Sequence, residues 1–277
     1  MRTYVPGLDE ILYGGIPERS AVLISGGPGT GKSILGKQFL YNGLTRGEPC
    51  VFVALEEHPA ATRRSFRHFG WDVDRYEREG RCAIVDAFTA GVGGGGPEGE
   101  VPGEGRRQRP RADRRPEAGH KRHGGAEDNI DSMSTLYLTK PAVARSIVMM
   151  LKRVIAGLGA TAMFVSQVSV GERGFGGPGV EHAVDGIIRL DLDEVEGKLY
   201  RSIVVWKMRD AKISMVRHPM DVTDEGVVVQ WDKYLRVTGV SVSVQPLPKE
   251  EVEEMRRAVE EAEKEVRKAA AAEEEEG

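Results

Sequence analysis

The sequence predicts an α/β fold with a mostly parallel, twisted sheet that carries helices on both faces and ends in a C-terminal β-hairpin. Short apolar runs rich in β-branched residues recur along the chain, and helical patterns separate several of them. These runs lack the polar alternation of a strand with one exposed face, which favours a sheet covered on both sides. The predicted strands are Ala21–Ser25, Val51–Leu55, Cys82–Phe88, Ala160–Ser166, Gly186–Leu192 and Ser202–Lys207.

A glycine-rich segment follows the first predicted strand. Residues 26–33 read Gly-Gly-Pro-Gly-Thr-Gly-Lys-Ser, and apolar residues recur at helical spacing from Ile34 onward. Strand, glycine-rich turn and helix in this order are the context of a P-loop. Glycines let consecutive backbone N–H groups point at phosphate oxygens, and the helix adds its positive dipole end. The segment therefore predicts a site for a nucleoside triphosphate.

Two P-loop side chains have specific expected roles. Lys32 is expected to contact the β- and γ-phosphates, and the Ser33 hydroxyl is expected to hold Mg²⁺. The predicted nucleotide-binding residues of the loop are Gly27, Pro28, Gly29, Thr30, Gly31, Lys32, Ser33 and Ile34.

The C-terminal half predicts a long helix, a hairpin and a charged tail. Pro141–Leu158 has helical periodicity, with Thr139 as its N-cap and glycines at its end. Val227–Val229 and Leu235–Val237 predict an antiparallel hairpin at the edge of the sheet. Residues 249–276 are rich in Glu, Lys, Arg and Ala and predict a solvated helix or docking arm with a weak apolar stripe. We therefore divide the chain into a nucleotide-binding domain, residues 1–240, and a tail, residues 241–277.

Residues 93–129 do not fit this domain. They contain no Leu, Ile, Met, Phe, Tyr or Trp, and Val101 is their one valine. Such a composition cannot bury enough surface to offset chain ordering, so it predicts disorder. A flexible insert and a stretch translated out of frame both account for it, and the abrupt flanks favour the frame error. A third reading is a basic arm for nucleic acid, although the segment has no aromatic residue for stacking.

The composition sets broad limits on function. Charged residues make up 30% of the 277 residues and the formal net charge is −4, so there is no global signal for nucleic-acid binding. Cys50 and Cys82 lie on separate apolar segments without metal-ligand spacing, which favours buried, reduced thiols. No run of about 18 apolar residues predicts a membrane span. These features predict a cytoplasmic protein without a membrane partner.

Carboxylates after two predicted strands are candidates for metal binding and catalysis. Asp131 is the candidate Walker B aspartate for Mg²⁺, although Ala126-Glu127-Asp128-Asn129 precede it in place of an apolar run. Glu56 and Glu57 directly follow the strand after the P-loop, where ligands gather in an α/β sheet. One glutamate there can orient and polarise the attacking water. The alternatives are a turn or cap role for Asp131 and a solvated surface pair for the glutamates.

Cations and an amide complete the predicted site. Lys207 and Arg209 end a late strand at alternate positions, so they project to one side of an extended chain. They cannot easily fold back to their own P-loop, and a neighbouring subunit's nucleotide is the more natural target for an arginine finger. Ordinary edge-strand charges are the alternative. Gln167, at the end of another strand, is a candidate sensor of the γ-phosphate.

Together these motifs make the chain resemble the KaiC-like ATPases of the RecA superfamily over residues 1–92 and 131–238. The likeness rests on Gly7-Leu8-Asp9, Tyr13-Gly14-Gly15-Ile16-Pro17, the P-loop, Leu55-Glu56-Glu57, Asp131-Ser132, Gly177-Pro178-Gly179-Val180-Glu181-His182 and Lys207-Met208-Arg209. It implies one RecA-type domain that binds ATP with Mg²⁺ and forms a hexameric ring with nucleotides between subunits. It also implies catalytic roles for Glu56 and Glu57 and trans-acting roles for Lys207 and Arg209. After Arg209 the family usually has Gly-Thr and a histidine, whereas this chain has Asp210-Ala211-Lys212-Ile213.

Three functions are compatible with these residues. The favoured one is a ring ATPase in a signalling or regulatory cycle, with a regulatory protein as a possible partner. A DNA-binding recombinase is less favoured because Arg173 is the one cation of the predicted channel loop, residues 171–177. An assembly scaffold that binds ATP with little turnover is the third. Phosphate release and salt-dependent binding of single-stranded DNA distinguish them.

Overall fold

Strands and helices alternate along the chain as predicted. The computed structural model describes residues 1–88, 127–131, 141–168, 175, 180–238 and 241–276. The strands are β1 (Ala21–Gly26), β2 (Cys50–Ala54), β3 (Cys82–Asp86), β4 (Glu127–Asp131), β5 (Thr161–Gln167), β6 (Gly186–Val195), β7 (Lys198–Met208), β8 (His218–Thr223), β9 (Gly226–Val229), β10 (Lys233–Thr238) and β11 (Ser241–Pro246). The helices are α1 (Leu8–Ile11), α2 (Lys32–Thr45), α3 (Pro59–His68), α4 (Val73–Arg78), α5 (Pro141–Leu158), α6 (Val180–Ala183) and α7 (Lys249–Glu276).

The described strands form one large sheet and one strand pair. The large sheet has the order β3-β2-β4-β5-β1-β6-β7-β8-β9, and β10 pairs with β11. Strands from β3 to β6 are parallel, whereas β7, β8 and β9 join by antiparallel pairing. Each of the six predicted strands is present, with ends that differ by a few residues. The predicted α/β class with a mostly parallel sheet is therefore confirmed.

Helices cover both faces of the sheet because the side chains of each strand alternate between two cores. In β1, Val22 and Ile24 belong to the core that includes Phe39 of α2. Leu23 belongs to the opposite core, together with Val148 of α5. All three β1 side chains are fully buried, as the apolar run predicts.

Strand β4 takes a central place in the sheet although its sequence is polar. Glu127–Asp131 pairs in parallel with β2 on one side and with β5 on the other. The hypothesis of a metal site at Asp131 requires a strand that ends there, and β4 is such a strand although the apolar run is missing. Of the anomalous segment 93–129, only residues 127–129 fall within the described part of the chain, so its origin stays a prediction.

The C-terminal strands pair differently from the prediction. The predicted hairpin joins Val227–Val229 to Leu235–Val237, but β9 pairs with β8 and β10 pairs with β11. Strand β8 has no counterpart among the predicted strands because Pro219, Asp221 and Thr223 interrupt its apolar pattern. A C-terminal hairpin is present, with β11 in place of β9.

Asp9 and Gly15 shape two turns of the N-terminal segment. The buried Asp9 carboxylate accepts hydrogen bonds from the Thr3 N–H at 2.8 Å, the Thr3 hydroxyl at 2.7 Å and the Tyr4 N–H at 3.0 Å. Gly15 has a φ of +127°, and a Cβ atom there would lie 2.2 Å from the Met1 carbonyl oxygen. Asp9 and Gly15 therefore fix the chain start against the domain.

The charged tail docks on the domain through its apolar stripe. Met255 and Val259 of α7 are buried, whereas Val266 is exposed. Glu263 pairs with Arg2, and Glu254 pairs with Lys212. The boundary at residue 240 falls between the paired strands β10 and β11, and the division into domain and tail stays a prediction. Among the helices of the described residues, none has the length and apolar composition needed to cross a bilayer.

A buried histidine links β8 to its neighbours. His218 Nδ1 lies 2.7 Å from the Lys233 carbonyl oxygen, and Nε2 lies 2.8 Å from the Ser214 hydroxyl. Because a carbonyl only accepts, Nδ1 carries the proton and Nε2 accepts from Ser214. Burial lowers the pKa of His218 and outweighs the bonds that favour its charged form.

Acidification is therefore expected to destabilise the fold through His218. The unfolded chain takes up this proton below about pH 6.5, whereas the folded chain resists it. The contribution of neutral His218 to the free energy of unfolding is complete above that pH. It is lost as the pH falls toward the lowered pKa of His218. Urea unfolding at pH 5 and pH 7.5 measures the difference. The variant His218→Gln should show a smaller loss between the two values than wild type; an equal loss would contradict the assignment.

Candidate functional site

The predicted site residues meet at one edge of the sheet. β1 ends at Gly26, which pairs with Gln167 at the end of β5. β4 ends at Asp131, level with Ala54 at the end of β2, and Glu56 and Glu57 follow β2 directly. Because these strands are parallel, their carboxyl ends lie side by side. The backbone thus gathers the P-loop, Gln167, Asp131 and the two glutamates at a single edge.

The P-loop curls around its own lysine. Lys32 Nζ donates to the Gly27 carbonyl oxygen at 2.6 Å, and the Thr30 hydroxyl donates to the same oxygen at 2.9 Å. Gly29 and Gly31 have φ values of +75° and +103°, which a residue with a side chain adopts only with strain. The loop conformation thus depends on both glycines, as the motif predicts.

The start of α2 is open to an anion. Gly31 is the N-cap of this 14-residue helix and supplies no side-chain cap, so no side chain caps the first N–H groups of the helix. At Gly27 no atom lies within 4 Å of where a Cβ would stand. Backbone donors, a positive helix end and the Lys32 ammonium together suit a triphosphate tail. The residues present therefore fit the nucleotide that the motif implies.

The two glutamates after β2 have different surroundings. Glu57 Oε1 accepts from Lys37 Nζ of α2 at 2.8 Å and from the Thr62 hydroxyl of α3 at 3.0 Å. The Lys37 side chain is 4% exposed, against 35% for Glu57. Glu56 is exposed and forms no ion pair with a described residue. The structure thus separates a carboxylate held by a buried cation from one that faces solvent at the same edge.

Lys207 and Arg209 lie at the other end of the sheet. Met208 pairs with Gly186, which pairs with Val22 at the start of β1. Gly26 is the fourth residue after Val22 on β1, about 13 Å along the strand. The two cations therefore do not share an edge with their own P-loop.

Each of the two cations contacts groups within α6 or directly after it. Lys207 Nζ donates to the carbonyl oxygens of Glu181 at 3.0 Å and Val184 at 2.7 Å. Burial and the neighbouring charge of Arg209 lower the pKa of Lys207. Arg209 Nη1 lies 3.2 Å from Asp185 Oδ1.

Asp210, where the family usually has glycine, takes a φ of +58°.

Comparison with known proteins identifies the family. The sequence model of the KaiC ATPase family matches residues 1–234, which include the P-loop, both glutamates and both cations. The chain belongs to the KaiC ATPase family. It is 68% identical to a UPF0273 protein of Saccharolobus solfataricus over 266 residues, covering 96% of this chain and 95% of that protein. A UPF0273 protein of Thermotoga maritima is 56% identical over 234 residues, covering 83% and 95%.

A solved structure supports the same assignment. The crystal structure of a KaiC-like protein from Pyrococcus horikoshii superposes with a TM-score of 0.64 at 29% identity, covering 83% of this chain and 97% of that protein. The chain therefore has the RecA-like P-loop fold of KaiC proteins, as the resemblance implies. The individual roles of the site residues are not settled by these comparisons and stay predictions.

One contact of the P-loop in this KaiC-family protein was not predicted from the sequence. Arg201 of β7 donates through Nε to the Gly29 carbonyl oxygen at 3.2 Å. In the pairing of β6 with β7, Arg201 is opposite Leu192. Leu192 lies two residues beyond Leu190, the β6 partner of Gly26, so this register places Arg201 over the P-loop. Strand register sets this contact, and residue spacing alone contains no signal for it.

Replacing Arg201 with alanine is expected to weaken ATP binding by roughly threefold to tenfold, because one hydrogen bond to the loop is lost. Calorimetric titration with a non-hydrolysable ATP analogue measures the change. Lys198→Ala is the matched control, since Lys198 is an exposed cation on the same strand. An unchanged affinity in Arg201→Ala would show that the loop does not depend on this contact.

Asp185 joins three elements at the end of the sheet away from the P-loop. Its carboxylate accepts from Lys152 Nζ at 2.5 Å and from the Ala21 N–H at 3.1 Å, besides its ion pair with Arg209. Burial would raise the pKa of Asp185, but these hydrogen bonds and positive charges outweigh it and hold the pKa below its usual value. Asp185 therefore ties the start of β1 to Arg209.

Proposed function

We propose that this KaiC-family protein hydrolyses ATP at the interfaces of a hexameric ring and serves a regulatory cycle. The observation that carries the proposal is the separation of the P-loop from Lys207 and Arg209, which lie at opposite ends of the sheet. A P-loop on one protomer and two cations on the facing end of the next form a complete site when copies of the chain stack in one direction. Such head-to-tail contacts close into a ring when the rotation fits.

Within one protomer, the P-loop binds the phosphates. Backbone N–H groups of residues 27–33 surround the phosphate oxygens, and Lys32 moves its ammonium from the Gly27 carbonyl to the β- and γ-phosphates. Ser33 and Asp131 are the residues that would hold Mg²⁺, which neutralises charge on the phosphates. Gln167 is the proposed sensor of the γ-phosphate, a role that its pairing with Gly26 supports.

We assign the activation of the attacking water to Glu56. Glu57 is occupied by Lys37 and Thr62, so it fixes the segment after β2 against α2 and α3. Glu56 is exposed at the same edge and is therefore the group that orients and polarises water. Arg209 of the neighbouring protomer stabilises the charge that develops on the transferred phosphoryl group, a role worth roughly 10³–10⁵ in rate in related reactions.

Steady-state phosphate release with ATP and Mg²⁺ tests this function, with light scattering to measure particle size. Wild type should release phosphate and form hexamers in the presence of ATP. Lys32→Ala should lose turnover, because the phosphates lose their ammonium partner. Hexamers without phosphate release would indicate the scaffold function instead. Salt-dependent binding of single-stranded DNA would favour the recombinase function. No binding of ATP by wild type would overturn all three.

A further inference from the structure

The two cysteines of the chain lie against each other. Cys50 begins β2, Cys82 begins β3, and the two residues are direct partners in the parallel pairing of these strands. Both are thiols, and their Sγ atoms are 3.5 Å apart. Cys50 is 3% exposed and Cys82 is 7% exposed. Sequence spacing places 31 residues between them and favours separate buried thiols, whereas strand pairing brings them into contact.

This geometry suits a disulfide. Neighbouring strands lie about 4.7–4.9 Å apart, which falls within the range of Cα separations that disulfides span. The sulfur atoms need to approach by about 1.5 Å to reach a bond length near 2.05 Å. Rotation about the Cα–Cβ bonds supplies a movement of this size without a shift of either strand.

The pair is buried beside an edge of the sheet, where a local opening of β3 would expose it to solvent. β3 is the edge strand, and among the described strands it pairs with β2 alone. Val85, on the face of β3 opposite to Cys82, is 44% exposed, so β3 is incompletely covered on that face. Edge strands of five residues separate locally at low cost compared with central strands. Opening at the start of β3 would expose Cys82 first.

We propose that Cys50 and Cys82 form a reversible intramolecular disulfide by exchange with a small-molecule disulfide. The thiolate of one cysteine attacks a sulfur of the reagent, releases one reagent thiol and forms a mixed disulfide. The second cysteine then attacks the protein sulfur of the mixed disulfide and releases the second reagent thiol. Both cysteines are oxidised, the reagent is reduced to two thiols, and the two protons of the cysteines end on those thiols.

The bond would join β3 to β2 covalently and enclose α3 and α4 in the closed loop. Its position at the amino ends of both strands leaves the Glu56 edge untouched. The inference therefore does not rest on the proposed ATPase function.

Incubation of the full chain with oxidised glutathione tests the proposal. Intact mass should fall by two hydrogen atoms, and no thiol should react with iodoacetamide after denaturation. The melting temperature should rise by about 5–15 °C and return on addition of a reductant, because the bond restricts the unfolded chain. Cys50→Ala and Cys82→Ala should keep melting temperatures that do not respond to the oxidant.

Three outcomes would overturn the proposal. They are two alkylatable thiols after oxidation, a stable adduct of glutathione on either cysteine, and a disulfide-linked dimer on a non-reducing gel. Mass and thiol count are measured on wild type, so the test stands even where an alanine variant fails to fold.

Discussion

Replacing Glu56 with glutamine is expected to reduce ATP turnover by about 10²–10⁴, the range that general-base catalysis contributes. The amide keeps the size of the side chain and its exposure, but it cannot polarise the attacking water. Affinity for ATP and the free energy of unfolding should stay close to wild type, because Glu56 forms no ion pair with a described residue. Single-turnover phosphate release and urea unfolding measure the two effects.

Glu57→Gln is the matched variant on the next residue. It removes the negative charge facing Lys37, whose side chain is 4% exposed. The buried ammonium then lacks its counter-charge, at a cost of about 1–2 kcal/mol in unfolding free energy, since Glu57 is itself partly exposed to solvent. We expect Glu56→Gln to change turnover more than stability and Glu57→Gln to lower stability. If Glu56→Gln keeps full turnover, the assignment of the base is wrong.

Arg209→Ala is expected to lower turnover by about 10³ or more while the P-loop of the same protomer keeps its affinity for ATP. The guanidinium lies at the end of the sheet away from its own P-loop, so in the proposed ring its loss would remove charge stabilisation only from a neighbouring site. Arg256→Ala is the control, because Arg256 is an exposed cation of α7 whose contacts are with Glu253 and with the ring of Trp231. That variant should keep wild-type turnover.

Mixing two inactive variants tests whether Arg209 acts between protomers. A Lys32→Ala protomer still offers its Arg209, and an Arg209→Ala protomer still has an intact P-loop. In a mixed ring, Arg209 of a Lys32→Ala protomer can face the intact P-loop of an Arg209→Ala protomer, and that site is complete. The mixture should therefore release phosphate faster than either variant alone. Mixtures that stay at the sum of the two separate rates, after exchange is shown by mass, would exclude action in trans.

The fold was predictable because local patterns agree with the tertiary structure over most of the chain. Ala21–Gly26 combines an apolar run with a following glycine-rich turn, and Pro141–Leu158 has the bounds that its periodicity predicts. β8 was not predictable in this way, since Pro219 and Asp221 weaken its strand pattern. Its stability comes from pairing with β7 and β9, which spacing does not encode.

The candidate site was predictable where residue identity carries the chemistry. Lys32 and Gly31 belong to a motif whose spacing follows from phosphate binding. The contacts of Lys37 with Glu57 and of Arg201 with Gly29 depend on how helices and strands pack, so the sequence contains no local signal for them. The same limit applies to Cys50 and Cys82, which meet only because β2 and β3 are in register.

Asp185 gives the proposed ring a mechanical coupling between neighbouring sites. One carboxylate holds the first N–H group of the strand that leads to the P-loop and also the guanidinium of Arg209, which would face the adjacent protomer in the proposed ring. A shift of β1 when its own P-loop fills would draw Asp185, and with it Arg209, toward or away from the next nucleotide. Occupancy of one pocket would thereby set the catalytic readiness of the next, and turnover would depend on ATP concentration with a Hill coefficient that departs from one.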